Sequence, residues 1–208
     1  MVDSESVPPE FRRHVERLRG EGLLPAESAR ASGEVGPAIR IDQESAVTLM
    51  RVSALRAAGF FRPTRRTTIA WVDGTNHLAI QVADLNLVIE EGQVVVLIPV
   101  RCDQAEGTVR VTFVLGSPER PRGLYAATER RPHGPEVVVE TWGDHLVAFA
   151  WQCLLGLYAG MAGASGKDGQ GNYLVPVEVT ADREGLSVVP MGRHRFSGSS
   201  GLLTSSGR

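Results

Sequence analysis

Residues 146–164 read LVAFAWQCLLGLYAGMAGA, nineteen consecutive positions without a formal charge. Large apolar side chains would cover most of the circumference of a helix built from this segment, so the helix must be buried. Three environments satisfy this requirement: the chain's own core, a subunit interface, or a lipid bilayer, which about 20 apolar residues cross. The membrane is the least favoured environment. The strands predicted after this helix belong to the same sheet as those before it, and a membrane would separate them. Of the positive residues expected beside a membrane span, only Lys167 is present next to the segment.

Small or polar residues recur every four positions along one side of this helix. Gly156 and Gly160 leave a groove in which another backbone can come close, and Gln152 lies on the same stripe. The groove faces either the protein itself or another subunit. In the second case, Gly156, Gly160 and Gln152 would contact the partner, together with Arg130 and Arg131 of the preceding loop, and the chain would form a homo-oligomer or bind another protein.

Strand patterns dominate the middle of the chain. Two arms flank Asp73-Gly74, a dipeptide of tight hairpins, and the pattern repeats around Glu91-Gly92. The second arm there, VVVLIPV (94–100), does not alternate, as expected of a strand covered on both faces. Further strands are predicted at TVRVTFVL (108–115), at EVVVE (136–140) and, after the apolar helix, in a hairpin of NYLVPVEVT (172–180) and GLSVVP (185–190).

Helices are predicted before the strands. Asp42 is placed to cap a helix that ends at Gly59, and a short amphipathic helix is expected near residues 10–20. The fold class is therefore α+β: an antiparallel sheet of about six to eight strands packed against a central apolar helix, with N-terminal helices. Residues 1–40 form an N-terminal arm, 41–190 a single domain, and 191–208 a Ser/Gly-rich tail that is expected to be disordered.

Composition and charge narrow the function classes. The formal net charge is −2 with an isoelectric point near 6.2, which argues against a dedicated nucleic-acid-binding protein or one drawn to acidic membranes. Cys102 and Cys153 are the two cysteines, and the N-terminus lacks the basic and apolar stretches of a secretory signal. We therefore expect a cytoplasmic protein with two unpaired thiols.

Several motifs come near a known chemistry without reaching it. The loop GMAGASGKDGQG (160–171) resembles a phosphate cradle, but Met161 stands where that motif needs glycine, and Asp168 follows the lysine in place of Ser or Thr. Cys153 and His145 lie eight residues apart, about 12 Å along a helix, which is too far for a nucleophile and its base. No third ligand is positioned for a metal, so we predict neither cofactor nor metal.

The leading hypothesis is a non-enzymatic intracellular interaction protein: an adaptor, an assembly factor or a subunit of a multiprotein complex. The first alternative is an enzyme with a site at a strand-to-helix junction, where Asp144 caps the apolar helix and His145 and Trp142 flank it. The second alternative is nucleic-acid binding through arginines, located at Arg12, Arg13, Arg17 and Arg19 and at Arg62, Arg65 and Arg66.

Overall fold

The computed structural model describes residues 38–58, 68–116, 127–128, 131–169 and 171–192. The helix predicted near residues 10–20 and most of the arm, the arginines of both groups and the tail from residue 193 lie outside the described residues. The elements in chain order are β1 (Ile39–Ile41), α1 (Gln43–Ala57), β2 (Thr68–Asp73), β3 (Asn76–Gln81), β4 (Asn86–Glu90), β5 (Gln93–Cys102), β6 (Glu106–Val114), β7 (Ala127–Thr128), α2 (Glu136–Ala164), β8 (Val175–Asp182) and β9 (Gly185–Met191).

Strands β2 to β7 form a six-stranded antiparallel sheet that is organised around β5. β6 pairs along one side of β5, while β3 and β4 follow each other along the other side, with the 3-10 turn Val82–Asp84 between them. β2 pairs with β3, and β7 pairs with β6. Both predicted hairpins are confirmed: Gly74 and Gly92 have φ of 59° and 68°, the left-handed region that glycine enters without steric cost.

A second sheet has three antiparallel strands in the order β1-β9-β8. The closing hairpin is confirmed by the pairing of Asp182 with Gly185, but its third strand is the short β1 and not a strand of the meander. The two sheets meet at an isolated bridge between Gly116 and Thr180. The α+β class with antiparallel sheets is confirmed, with the strands divided between two sheets.

The central helix is longer than predicted, and one predicted strand is wrong. α2 begins at Glu136 after Pro135, so EVVVE is its first turn and not a strand. Val139, Trp142 and Leu146 are buried at intervals of three and four residues, the period of one helical face, and Val138 beside them is buried too. The burial of this face within the tertiary structure outweighs the preference of β-branched residues for strands.

The first helix begins where the sequence predicts. The Asp42 side chain accepts a hydrogen bond of 2.8 Å from the backbone N–H of Ser45, and this bond lowers the pKa of the Asp42 carboxyl. α1 ends at Ala57; Gly59, the predicted stop, lies outside the described residues. Its buried side, which includes Ala46, Met50 and Ala54, packs on α2.

α2 is the centre of the core. It contacts α1, strands β8 and β9 of the smaller sheet, and strands β5 and β6 of the larger sheet. Val94, Val95 and Val96 are all buried, so the start of β5 is covered on both faces as predicted, whereas from Val96 onward its residues alternate between buried and half-buried or exposed. Among the described residues α2 alone is long and apolar enough to cross a membrane, and here it is buried mainly among the chain's own elements.

Candidate functional site

An open cleft of about 530 Å³ lies between the C-terminal end of α1, strand β2 and the first half of α2. We call it the aromatic cleft. Its chemistry comes from three rings, an imidazole, a carboxylate and an amide, and small residues complete the wall. The residues of the cleft are Ala57, Ala58, Ala70, Trp71, Val72, Asp73, Trp142, His145, Ala148, Phe149 and Gln152.

Helical spacing brings the rings of the cleft together. Trp142, His145 and Phe149 follow one another by three and four residues on one face of α2. Trp71 reaches them from β2: its ring centroid lies 5.5 Å from Phe149 in an edge-to-face contact and 6.1 Å from Trp142. The imidazole of His145 lies 6.0 Å from the ring of Trp142. These separations are those of favourable aromatic pairs.

The rings differ in how far solvent reaches them. Trp142 and Phe149 are 5% and 4% exposed and belong to the core, so they form the floor of the cleft. Trp71 is half-buried and His145 is exposed, so they form its rim. A ligand entering the cleft therefore meets the rim formed by Trp71 and His145 above an apolar floor.

The backbone of β2 forms one wall of the aromatic cleft. Ala70, Trp71, Val72 and Asp73 all line it, although successive side chains of a strand point to opposite faces. The side chains of Trp71 and Asp73 lie on the same face of β2 as the buried Ile69. Those of Ala70 and Val72 lie on the opposite face and are exposed. Ala70 and Val72 thus border the cleft chiefly through their backbone atoms.

Within the described part of the chain, β2 pairs with β3 alone, so among these residues its other edge has no strand partner. The hairpin closes at Asp73 and Asn76 across a two-residue turn, and a closing pair of this kind exchanges both of its hydrogen bonds. Along an antiparallel pair, residues that bond to the partner strand alternate with residues whose backbone groups point away from it. The N–H and C=O groups of Ala70 and Val72 therefore point away from β3. We call this row of groups the β2 edge.

The junction on which the enzyme alternative was based does not exist. Asp144 and His145 lie in the third turn of α2, eight and nine residues after Glu136, so Asp144 is not a cap and the helix N-terminus is remote from both. His145 and Trp142 belong to the aromatic cleft, whereas Asp144 is exposed and outside its lining. A catalytic role for His145 stays a prediction.

Neither cysteine is part of the aromatic cleft. Cys102 is half-buried and Cys153 is buried, and both are free thiols, as expected. Burial raises the pKa of the Cys153 thiol far above its usual range, so it stays protonated and unreactive. The described residues contain no group of three or more His, Cys, Asp or Glu side chains placed to hold a metal ion.

The two glycines of the stripe have different surroundings. A Cβ on Gly156 would lie 2.9 Å from Cβ of Ser53, so Gly156 faces α1 of its own chain. A Cβ on Gly160 would meet nothing within 4 Å, so that glycine is open to solvent. Gln152 of the same stripe lines the aromatic cleft.

The two arginines predicted to join the interface lie apart from this stripe. Nη2 of Arg131 lies 3.6 Å from Oε1 of Glu140, on the exposed side of the first turns of α2, and Arg130 lies outside the described residues.

In the glycine-rich loop that resembles a phosphate cradle (160–171), the side chain of Asp168 accepts hydrogen bonds from a residue that follows it. The Asp168 carboxylate accepts hydrogen bonds from the backbone N–H of Asn172, at 2.9 Å, and from its side-chain amide, at 3.4 Å. The Lys167 ammonium lies 4.9 Å from the ring centroid of Tyr173. These contacts support the assignment of the loop as a connector and not as a phosphate cradle.

Sequence reasoning missed Trp71 and the β2 edge as parts of a site. The available signal was the alternation of Ile69, Trp71 and Asp73 on one face of β2, which places a large ring and a carboxylate on the face that is covered by a helix.

No family model, curated protein or solved structure matches this chain.

Proposed function

We propose that this protein is a non-enzymatic interaction protein that binds its partner at the aromatic cleft and the adjoining β2 edge. It would act as an adaptor, an assembly factor or a subunit of a larger complex. One observation carries the proposal: an edge of β2 that has no strand partner among the described residues forms the wall of a cleft whose floor is aromatic. Natural proteins usually cover or charge their strand edges, because an open edge pairs readily with another chain.

The side chains around the β2 edge support binding by an apolar partner. Val72 is 64% exposed, the largest exposure among the described large hydrophobic residues that are exposed. Half-buried Trp71 is its neighbour, and aromatic residues that combine a rigid ring with a polar atom are enriched at the centres of interfaces. Val72 lies on the opposite face of β2 from Trp71, so a partner that runs along the β2 edge would cover the Trp71 rim on one face and border Val72 on the other, removing apolar surface from water on both.

The chemistry of the lining also fits binding. Three carbon-rich rings provide contact area, while Asp73, His145 and Gln152 provide a few polar groups that can orient a ligand. Gly160 was the other candidate contact, and it remains open on α2, so it serves as a comparison position in the experiment below.

The test is cross-linking in the native host. A photoreactive amino acid replaces Val72, Gly160 or Glu106, the last being an exposed residue at the start of β6. We expect a discrete cross-linked product from position 72 and none from 106. A product of twice the chain mass identifies a second copy as the partner. A product from position 160 alone, or equal products from 72 and 106, would contradict the assignment of this surface.

A further inference from the structure

We infer that the partner contributes an extended segment that adds to the β2 edge as a further strand, with a large apolar side chain opposite Trp71 and a basic side chain two residues away, opposite Asp73. This inference rests on the proposed function and specifies the chemistry of the partner. It follows from the backbone groups, the strand phase and the charge of the aromatic cleft.

The backbone argument comes first. The N–H and C=O groups of Ala70 and Val72 point along the open side of β2 and border the cleft. A segment that pairs with them satisfies four backbone groups in the regular geometry of a sheet. Strand addition of this kind derives affinity from main-chain hydrogen bonds, and pockets for alternate side chains provide specificity.

Strand phase then determines which partner positions reach the cleft. Trp71 and Asp73 lie on the same face of β2, two residues apart, with Trp71 packed over the aromatic floor. Residues of an added strand that sit directly opposite them lie on this face too, and they are also two residues apart. The cleft volume of about 530 Å³ accommodates one large side chain beside Trp71.

Charge specifies the second partner residue. Asp73 is exposed at the rim of the cleft, and the ion pairs of the described residues join other groups: Arg40 with Asp182 and Glu184, Arg101 with Glu106, and Arg131 with Glu140. An arginine or lysine opposite Asp73 would form a cross-strand pair of opposite charge, which stabilises adjacent strands. An acidic residue there would be repelled.

The test measures peptide binding to the full chain through tryptophan fluorescence, since Trp71 and Trp142 both line the cleft. The probe is a blocked, otherwise polar peptide with phenylalanine and lysine two positions apart. The control peptide has the same composition with these two residues adjacent, so that they point to opposite faces. We expect the spaced peptide to bind at least about tenfold more tightly. Equal affinities, or no binding of either peptide, would overturn the inference.

Two variants test the backbone and the charge separately. Ala70→Pro removes an outward N–H and leaves the hydrogen bonds between β2 and β3 in place, so it should weaken the spaced peptide at least about tenfold without lowering the thermal midpoint by more than a few degrees. Asp73→Asn should weaken binding severalfold and reduce its salt dependence. Val114→Thr, on the far side of the sheet, is the control and should bind as the wild type does.

The remaining outcomes separate this inference from the proposed function. Wild-type affinity in a folded Ala70→Pro variant would refute strand addition, and cross-linking at position 72 would then still support an interaction surface of different chemistry. Phe60 and Phe61 lie between α1 and β2 in the sequence, outside the described residues. Peptide binding that occurs only after both are replaced by serine would show that the chain itself occupies the cleft, which would overturn the inference. Absence of any cross-link at position 72 counts against the proposed function itself.

Discussion

Replacement of Gly156 and of Gly160 by alanine should change stability in opposite directions. Both glycines lie in the same helix, four residues apart, so both substitutions gain the same helix propensity, about 0.8–1.0 kcal/mol. Gly160→Ala places its new methyl group where no atom lies within 4 Å. This variant should therefore be more stable than the wild type by roughly 1 kcal/mol.

The methyl group of Gly156→Ala meets a neighbour that cannot easily move. It would lie 2.9 Å from Cβ and 3.0 Å from Oγ of Ser53, closer than carbon atoms normally approach. Ser53 is buried, and its hydroxyl donates a 2.9 Å hydrogen bond to the carbonyl of Leu49 within α1. Overpacking of this kind costs about 1–3 kcal/mol, so after the propensity gain the variant should lose roughly 1 kcal/mol.

The two variants should thus differ by roughly 2 kcal/mol in the free energy of unfolding. Urea denaturation followed by circular dichroism measures this difference, and the thermal midpoints should differ by several degrees. Ser53→Gly in the Gly156→Ala background should recover part of the loss, and a double-mutant cycle isolates this coupling. Equal stability of the two alanine variants would refute the packing argument. A loss in Gly160→Ala that depends on protein concentration would place Gly160 in a subunit interface.

Three further predictions concern buried or paired groups. The hydroxyl of Tyr158 is fully buried and has no hydrogen-bond partner among the described residues. Tyr158→Phe removes this unsatisfied group, so urea denaturation should show a free energy of unfolding about 1 kcal/mol higher than that of the wild type. A lower free energy of unfolding would show that the hydroxyl is hydrogen-bonded. Burial tends to raise the pKa of the Asp182 carboxyl, but hydrogen bonds from the backbone amides of its turn, together with Arg40, outweigh this effect and lower it. A carboxyl whose pKa is lower in the folded state stabilises the fold above the ordinary aspartate pKa, and this stabilisation is lost as the pH falls through the folded-state pKa. The urea midpoints of the wild type and of Asp182→Asn should therefore differ at pH 7 and converge in acid. In the native protein a thiol reagent should modify Cys102 and leave Cys153 unmodified until the protein unfolds; equal rates of modification would contradict the burial of Cys153.

Local signals predicted most of the larger sheet. Asp73-Gly74 and Glu91-Gly92 each lie between alternating or apolar runs, and both glycines adopt the positive φ that the turns require. The Asp42 cap was predicted for the same reason, because a carboxylate can satisfy an amide three residues away without help from the rest of the fold. Signals of this kind lie within a few residues of sequence, so they can be identified before the fold is known.

The incorrect predictions depended on distant contacts. EVVVE has the composition of a strand, yet Val138 and Val139 are buried as the first turns of α2. β1 has three residues and no hairpin partner in sequence, and it exists because β9, more than a hundred residues later, pairs with it. Neither β propensity nor periodicity over so few residues can choose between helix, strand and loop when the tertiary structure supplies the stabilising contact.

The sequence alone determined that residues 146–164 form a buried apolar helix, because nineteen uncharged positions leave no polar face for solvent. It also predicted the antiparallel hairpins around Gly74 and Gly92, since their turns are encoded locally. Only the tertiary structure decided that Gly156 packs on Ser53 while Gly160 stays open, and that Trp71 meets Trp142 beside an edge of β2 that has no strand partner among the described residues. The physical reason is that these features depend on how elements far apart in sequence pack together, and the pattern of one segment carries no information about which distant face will cover it.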